Sequence, residues 1–79
     1  MRAITLGDGS RLRLTAKEAR ALLWFPAFPD LTSVDRVAPA YVRESLRVLL
    51  QNELIYRDGH GPTFGLTPSG DRAQEDLER

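Results

Sequence analysis

Arg43, Arg47 and Gln51 recur every four residues in the run Val42-Arg43-Glu44-Ser45-Leu46-Arg47-Val48-Leu49-Leu50-Gln51, a spacing that places all three on one side of a helix. An arginine guanidinium is a planar fork of donors that fits phosphate or carboxylate two bonds at a time, and it matches the acceptors on the exposed edge of guanine. Tyr41 precedes this stripe and turns away from it, able to pack its ring while presenting its hydroxyl. Arg57 and His60 follow, beside and within the glycine-rich tip Asp58-Gly59-His60-Gly61-Pro62. A solvated charged face has the same pattern as a binding stripe, and Glu44 is placed to pair on the surface with Arg47 or Arg43.

Other chemistry finds little footing. No nucleophile–base pair or phosphate-cradling glycine loop appears at a usable spacing, so no enzyme activity is expected. His60 is the single histidine of a chain without cysteine and cannot build a zinc site alone, so neither a metal nor a cofactor is expected. Gly59, Gly61 and Gly65 lie in and beside a hairpin and do not lead into a helix as dinucleotide-binding glycines do.

The elements that position these residues are legible from periodicity. Val42, Leu46, Leu49 and Leu50 form the buried stripe of the arginine-bearing helix. Leu54 to Arg57 then reads as a strand, residues 58–62 as a turn and Thr63 to Leu66 as the returning strand. At the front, Arg2 to Leu6 and Arg11 to Leu14 alternate around Gly7-Asp8-Gly9-Ser10, which predicts a β-hairpin. Thr15-Ala16-Lys17-Glu18 is a capping box that opens a first helix, striped by Ala16, Ala19, Leu22 and Leu23 and stopped near Phe25 by Pro26. Leu31 to Ala38 predicts a short second helix capped by Thr32 or Ser33, with Pro39 in the first turn of the next. Thr67-Pro68 opens a last helix with a thin apolar edge at Ala73 and Leu77 and a fraying end. Trp24, Phe25 and Phe28 are expected in the core, the other use of such a cluster being an aromatic patch for a protein partner.

The 79 residues are enough for one domain, 1–79, with a compact core. Eleven basic and eleven acidic residues cancel, which argues against the uniform field of a non-specific nucleic-acid binder. Their distribution is uneven: residues 1–20 hold five basic residues against two acidic ones, and 71–79 hold four acidic against two basic. Ten of the eleven basic residues are arginine, a bias that suits bidentate contacts and equally follows from codon composition. The acidic tail reads as a solvated helix face. Without cysteine the fold rests on apolar packing and suits a reducing compartment. The longest apolar run, Ala21 to Phe25, is far short of the roughly 20 residues that span a bilayer, and Met1 to Thr5 does not resemble a secretory signal. A cytoplasmic location away from membranes is therefore the expectation.

Residues 42–57, followed by Leu66-Thr67-Pro68-Ser69-Gly70, resemble the recognition helix, wing and "LT..G" helix start of MarR-like winged-helix proteins, with Leu49, Leu54, Ile55 and Arg57 in matching places. Gly9 to Ala19 is similar to the strand and "LT..E" helix start of the DNA-binding domain of OmpR-type regulators. The resemblance implies a small α+β winged helix with an N-terminal β-hairpin, three to four helices and a C-terminal wing. It also implies that Arg43, Arg47 and Gln51 face a major groove while Arg57 and His60 reach the minor groove or phosphates. Two departures stand out. Ala38-Pro39 leaves almost no turn before the recognition helix, and Glu53 replaces the glycine that commonly ends it in the left-handed conformation, which predicts a different helix exit.

The expected function is that of a small transcriptional regulator on double-stranded DNA, with a homodimer possible. The alternative is a winged-helix module that binds another protein, in the manner of small phage-type inhibitors and adaptors.

Overall fold

A computed structural model describes residues 2–79. Among them the chain forms a small α+β domain of three helices and two small antiparallel sheets. The N-terminal hairpin is as expected: β1 (Arg2–Thr5) pairs with β2 (Arg11–Leu14), and Ile4 opposite Leu12 and Arg2 opposite Leu14 set one face toward the core. Thr15 caps α1 (Ala16–Trp24), accepting from the Glu18 amide at 3.1 Å while the Glu18 carboxylate accepts from the Thr15 amide at 2.9 Å. Both otherwise unpaired amides of the helix start are satisfied within four residues of sequence.

The expected second helix does not form. Leu31–Ser33 is instead strand β3, and Val34–Ala38 is a turn held by the Asp35 carbonyl and carboxylate, which accept from the Ala38 and Val37 amides. The physical reason is long-range pairing: Leu31, Thr32 and Ser33 align with Gly65, Phe64 and Thr63, and ladder bonds to a distant strand outweigh a weak two-turn helix. Pro39 is the residue just before α2 (Ala40–Gln51) and not inside its first turn, with no side chain capping the helix start.

The apolar stripe of α2 is narrower than expected. Val42 and Leu49 are fully buried, Leu46 and Leu50 only partly so, and Ser45 joins the buried face at 1% exposure with its hydroxyl unpaired. On α1, Ala19, Ala21 and Leu22 are buried, while Ala16 and Leu23 of the predicted stripe are exposed. The expected change of helix exit does not occur. Glu53 takes the left-handed conformation at φ 57°, and the Glu53 and Leu54 amides donate back to the Leu50 and Leu49 carbonyls, each at 3.0 Å. This is the bond pattern of a Schellman ending built without glycine.

Strand β4 (Ile55–Arg57) and strand β5 (Thr63–Leu66) complete the second sheet in the order β3-β5-β4. Ile55, Phe64 and Leu66 face the core, whereas Leu31 and Tyr56 flank Gly65 on the opposite face and lean over it. Thr67 caps α3 (Pro68–Glu78), and Ala73 and Leu77 are buried as expected. Gln74 is buried beside them and donates to the Leu22 and Phe25 carbonyls at 2.9 Å each, satisfying the end of α1. The aromatic cluster divides: Phe25 is buried, Trp24 meets it edge-to-face at 5.3 Å, and Phe28 is exposed beyond the core. No helix among the described residues is long and apolar enough to cross a membrane.

Candidate functional site

Helix α2 sorts its residues by exposure as its sequence stripe requires. Arg43, Arg47 and Gln51 are all exposed, on the side opposite Val42, Ser45 and Leu49, and span about 12 Å along the axis. Arg47 has no hydrogen-bonding or ionic partner among the described residues. Arg43 does: its Nε donates to the Ala38 carbonyl at 3.0 Å, which orients the guanidinium and leaves its two terminal nitrogens free. Glu44 pairs with neither arginine. Its carboxylate accepts from Lys17 Nζ of α1 at 3.1 Å, so the one acid on this face is matched from a different helix.

The tip between β4 and β5 approaches the start of α2 through the backbone. The Val34 amide donates to the Pro62 carbonyl at 2.8 Å, and the chain then turns through Asp35–Ala38 directly into α2. Together with the Arg43–Ala38 bond, this links Pro62 of the 58–62 tip to the segment that leads into α2, and that segment to the first turn of α2. Arg36, exposed on the 35–38 turn of that segment, was not singled out by sequence, because it falls outside the four-residue repeat. His60 is exposed at the tip, where Gly59 at φ 77° supplies a backbone conformation that side chains disfavour. Arg57 is exposed at its base, with the guanidinium 5.3 Å from the centre of the Phe64 ring.

One expected site residue stands apart. Tyr41 is half-buried, with the Arg20 guanidinium 4.4 Å above its ring, and belongs to the α1–α2 junction. Gln51, at the far end of α2, lines a polar cleft of about 440 Å³ between the Leu6–Asp8 turn and Ser69. Asp8 in that turn accepts from the Ser10 hydroxyl at 2.6 Å and the Ser10 amide at 2.9 Å, and these bonds hold its carboxyl below the ordinary carboxylate range. Among the described residues no three histidine, cysteine or carboxylate groups converge as a metal site would require.

The arrangement can offer several guanidinium forks and one imidazole along a single helix face and the linked turn and tip. Compared with known proteins, the chain matches no family model, no curated protein and no solved structure.

Proposed function

We propose that the chain is a winged-helix domain that binds double-stranded DNA, with α2 in the major groove and the 58–62 tip as a wing against the neighbouring backbone, acting as a small transcriptional regulator. The observation that carries this reading is the exposed Arg43, Arg47 and Gln51 face, with the tip bonded by Val34 and Pro62 to the segment that leads into that helix. Arg36 and the oriented Arg43 would meet phosphates, and Arg47 and Gln51 would reach base edges. The sequence resemblance to winged helices and the helix–strand–turn–strand order both support the assignment.

A second reading follows from one observation. In place of a bracing helix before α2 stands strand β3 with a short turn, and Val37 on that turn is 84% exposed. An apolar side chain at this position suits a protein surface better than a phosphate, as in a winged-helix protein-interaction module.

Fluorescence anisotropy with random-sequence duplex DNA over a salt series tests the first reading against the second. DNA binding predicts salt-sensitive association, lost by at least tenfold in the Arg43→Ala/Arg47→Ala double variant with a flatter salt dependence. Unchanged affinity in the variant rejects this placement of α2, and no binding at low salt selects the protein-interaction reading.

A further inference from the structure

A separate groove lies on the other side of α1. Ala16, Ala19 and Leu23 form its floor and Arg2 and Arg20 its flanks, enclosing about 360 Å³. Leu23 is 39% exposed although it is a large apolar residue on a helix whose other leucine, Leu22, is fully buried. The alanines keep the floor low enough for an incoming side chain to lie against α1.

Both arginines are held in position without a carboxylate. Arg2 donates from a terminal nitrogen to the Leu77 carbonyl at 2.6 Å, and Arg20 stacks on Tyr41. Neither forms a salt bridge among the described residues: Glu18, two residues from Arg20, is engaged in the capping box, and Asp76, next to the Leu77 that Arg2 touches, accepts from the Thr5 amide and pairs with Arg79. The groove is thus an apolar floor between two oriented arginines that form no salt bridge among the described residues, in a chain with no net charge.

We propose that this groove docks an acidic amphipathic segment of a partner protein, whose apolar side chain seats on Ala16, Ala19 and Leu23 while flanking carboxylates meet Arg2 and Arg20. Charge complementarity selects the acidic partner, and preset guanidiniums reduce the ordering cost of binding it. A nucleic-acid backbone would use the arginines but leave the apolar floor uncovered. The acidic helix of a second copy lacks the anchor, because the large apolar side chain of α3, Leu77, is buried in its own core.

The test is a two-dimensional amide NMR titration of the full chain with a synthetic acidic peptide, leucines along one helical face and glutamates beside them. A copy with lysines for the glutamates and a short random DNA duplex serve as competing probes. The acidic peptide should shift the amides of Ala16, Ala19, Arg20 and Leu23, and both Arg20→Glu and the exposed-site variant Leu23→Ser should weaken it at least tenfold. No shifts at millimolar peptide, equal binding of the lysine copy, the same shifts with DNA, or concentration-dependent shifts of the free protein at these amides would each overturn the proposal.

Discussion

A β-carbon added at Gly70 would stand 1.9 Å from the carbonyl oxygen of Leu54. That oxygen also accepts from the Thr67 amide, and the Thr67 hydroxyl accepts from the Gly70 amide, so the start of α3 is fastened to the exit of α2 by backbone on both sides. No side-chain rotation can relieve the contact. Gly70→Ala is therefore expected to destabilise the fold by about 3 kcal/mol or more, as overpacking against fixed backbone does. Urea unfolding of the variant beside wild type measures it, and a loss below about 1 kcal/mol would show that the α2–α3 junction yields.

Glu53 sits one residue before that carbonyl in a left-handed conformation. A side chain there costs roughly 1 kcal/mol that glycine avoids, partly offset by the greater freedom of glycine in the unfolded chain. Glu53→Gly should raise stability by about 0.5–1 kcal/mol. A β-branched Glu53→Val should lower it, and equal stability of the two variants would contradict the left-handed exit.

The junction also separates what sequence can reveal from what it cannot. Thr15 with Glu18, and Thr67 with Gly70, are caps closed within three residues, and the Gly7–Ser10 turn is equally local, so their elements are legible in the chain. The left-handed Glu53 violates the local preference for glycine, while Thr67, fourteen residues away, holds the Glu53 carbonyl. Leu31–Ser33 fails for the same reason: Thr32 and Ser33 look like helix caps until Phe64 and Thr63 are available to pair with them. Of the candidate site, the Arg43–Arg47–Gln51 face follows from helical periodicity alone. Arg36, the Arg43 tether and the Arg20–Tyr41 stack depend on which segments meet in space.

Gln74 supplies the one side-chain cap found at the end of α1. Replacing it with leucine keeps the volume near constant but leaves the Leu22 and Phe25 carbonyls without that donor. The Leu22 carbonyl keeps the 3.3 Å bond from the Phe25 amide, so the expected loss is about 1–3 kcal/mol, set chiefly by the Phe25 carbonyl left without its donor. Gln74→Glu tests the same contact by sign, since an ionised carboxylate cannot donate to either carbonyl. Chemical denaturation at neutral pH should rank both variants below wild type, and a neutral outcome for leucine would mean that water replaces the amide.

The Asp8 turn should respond to acid. The Ser10 hydroxyl first, and the Ser10 amide second, favour the charged form of Asp8, so its folded value lies below its unfolded one. A carboxyl depressed in this way contributes to stability above its unfolded value and loses that contribution as pH falls through the lower folded value. A carboxyl-carbon NMR titration should place the Asp8 midpoint below the usual value of about 3.9, and Ser10→Ala should move it upward. A wild-type midpoint at or above that value would contradict the hydrogen-bonded turn.

Arg43 and Arg47 occupy equivalent turns of one helix face yet should not tolerate lysine equally. The Arg43 Nε is committed to the Ala38 carbonyl, so its guanidinium bonds the protein on one edge and presents its terminal nitrogens on the other. Lysine offers a single ammonium and cannot keep both arrangements, whereas the free Arg47 loses only its fork. If α2 binds DNA as proposed, Arg43→Lys should weaken binding more than Arg47→Lys for random duplex, where phosphate contacts set the affinity. Arg47→Lys should matter more on a selected high-affinity site, where a bidentate base contact is worth about 1–3 kcal/mol. Anisotropy with both duplexes resolves the pair, and identical losses for the two variants on both would show that the Ala38 tether plays no part in positioning Arg43.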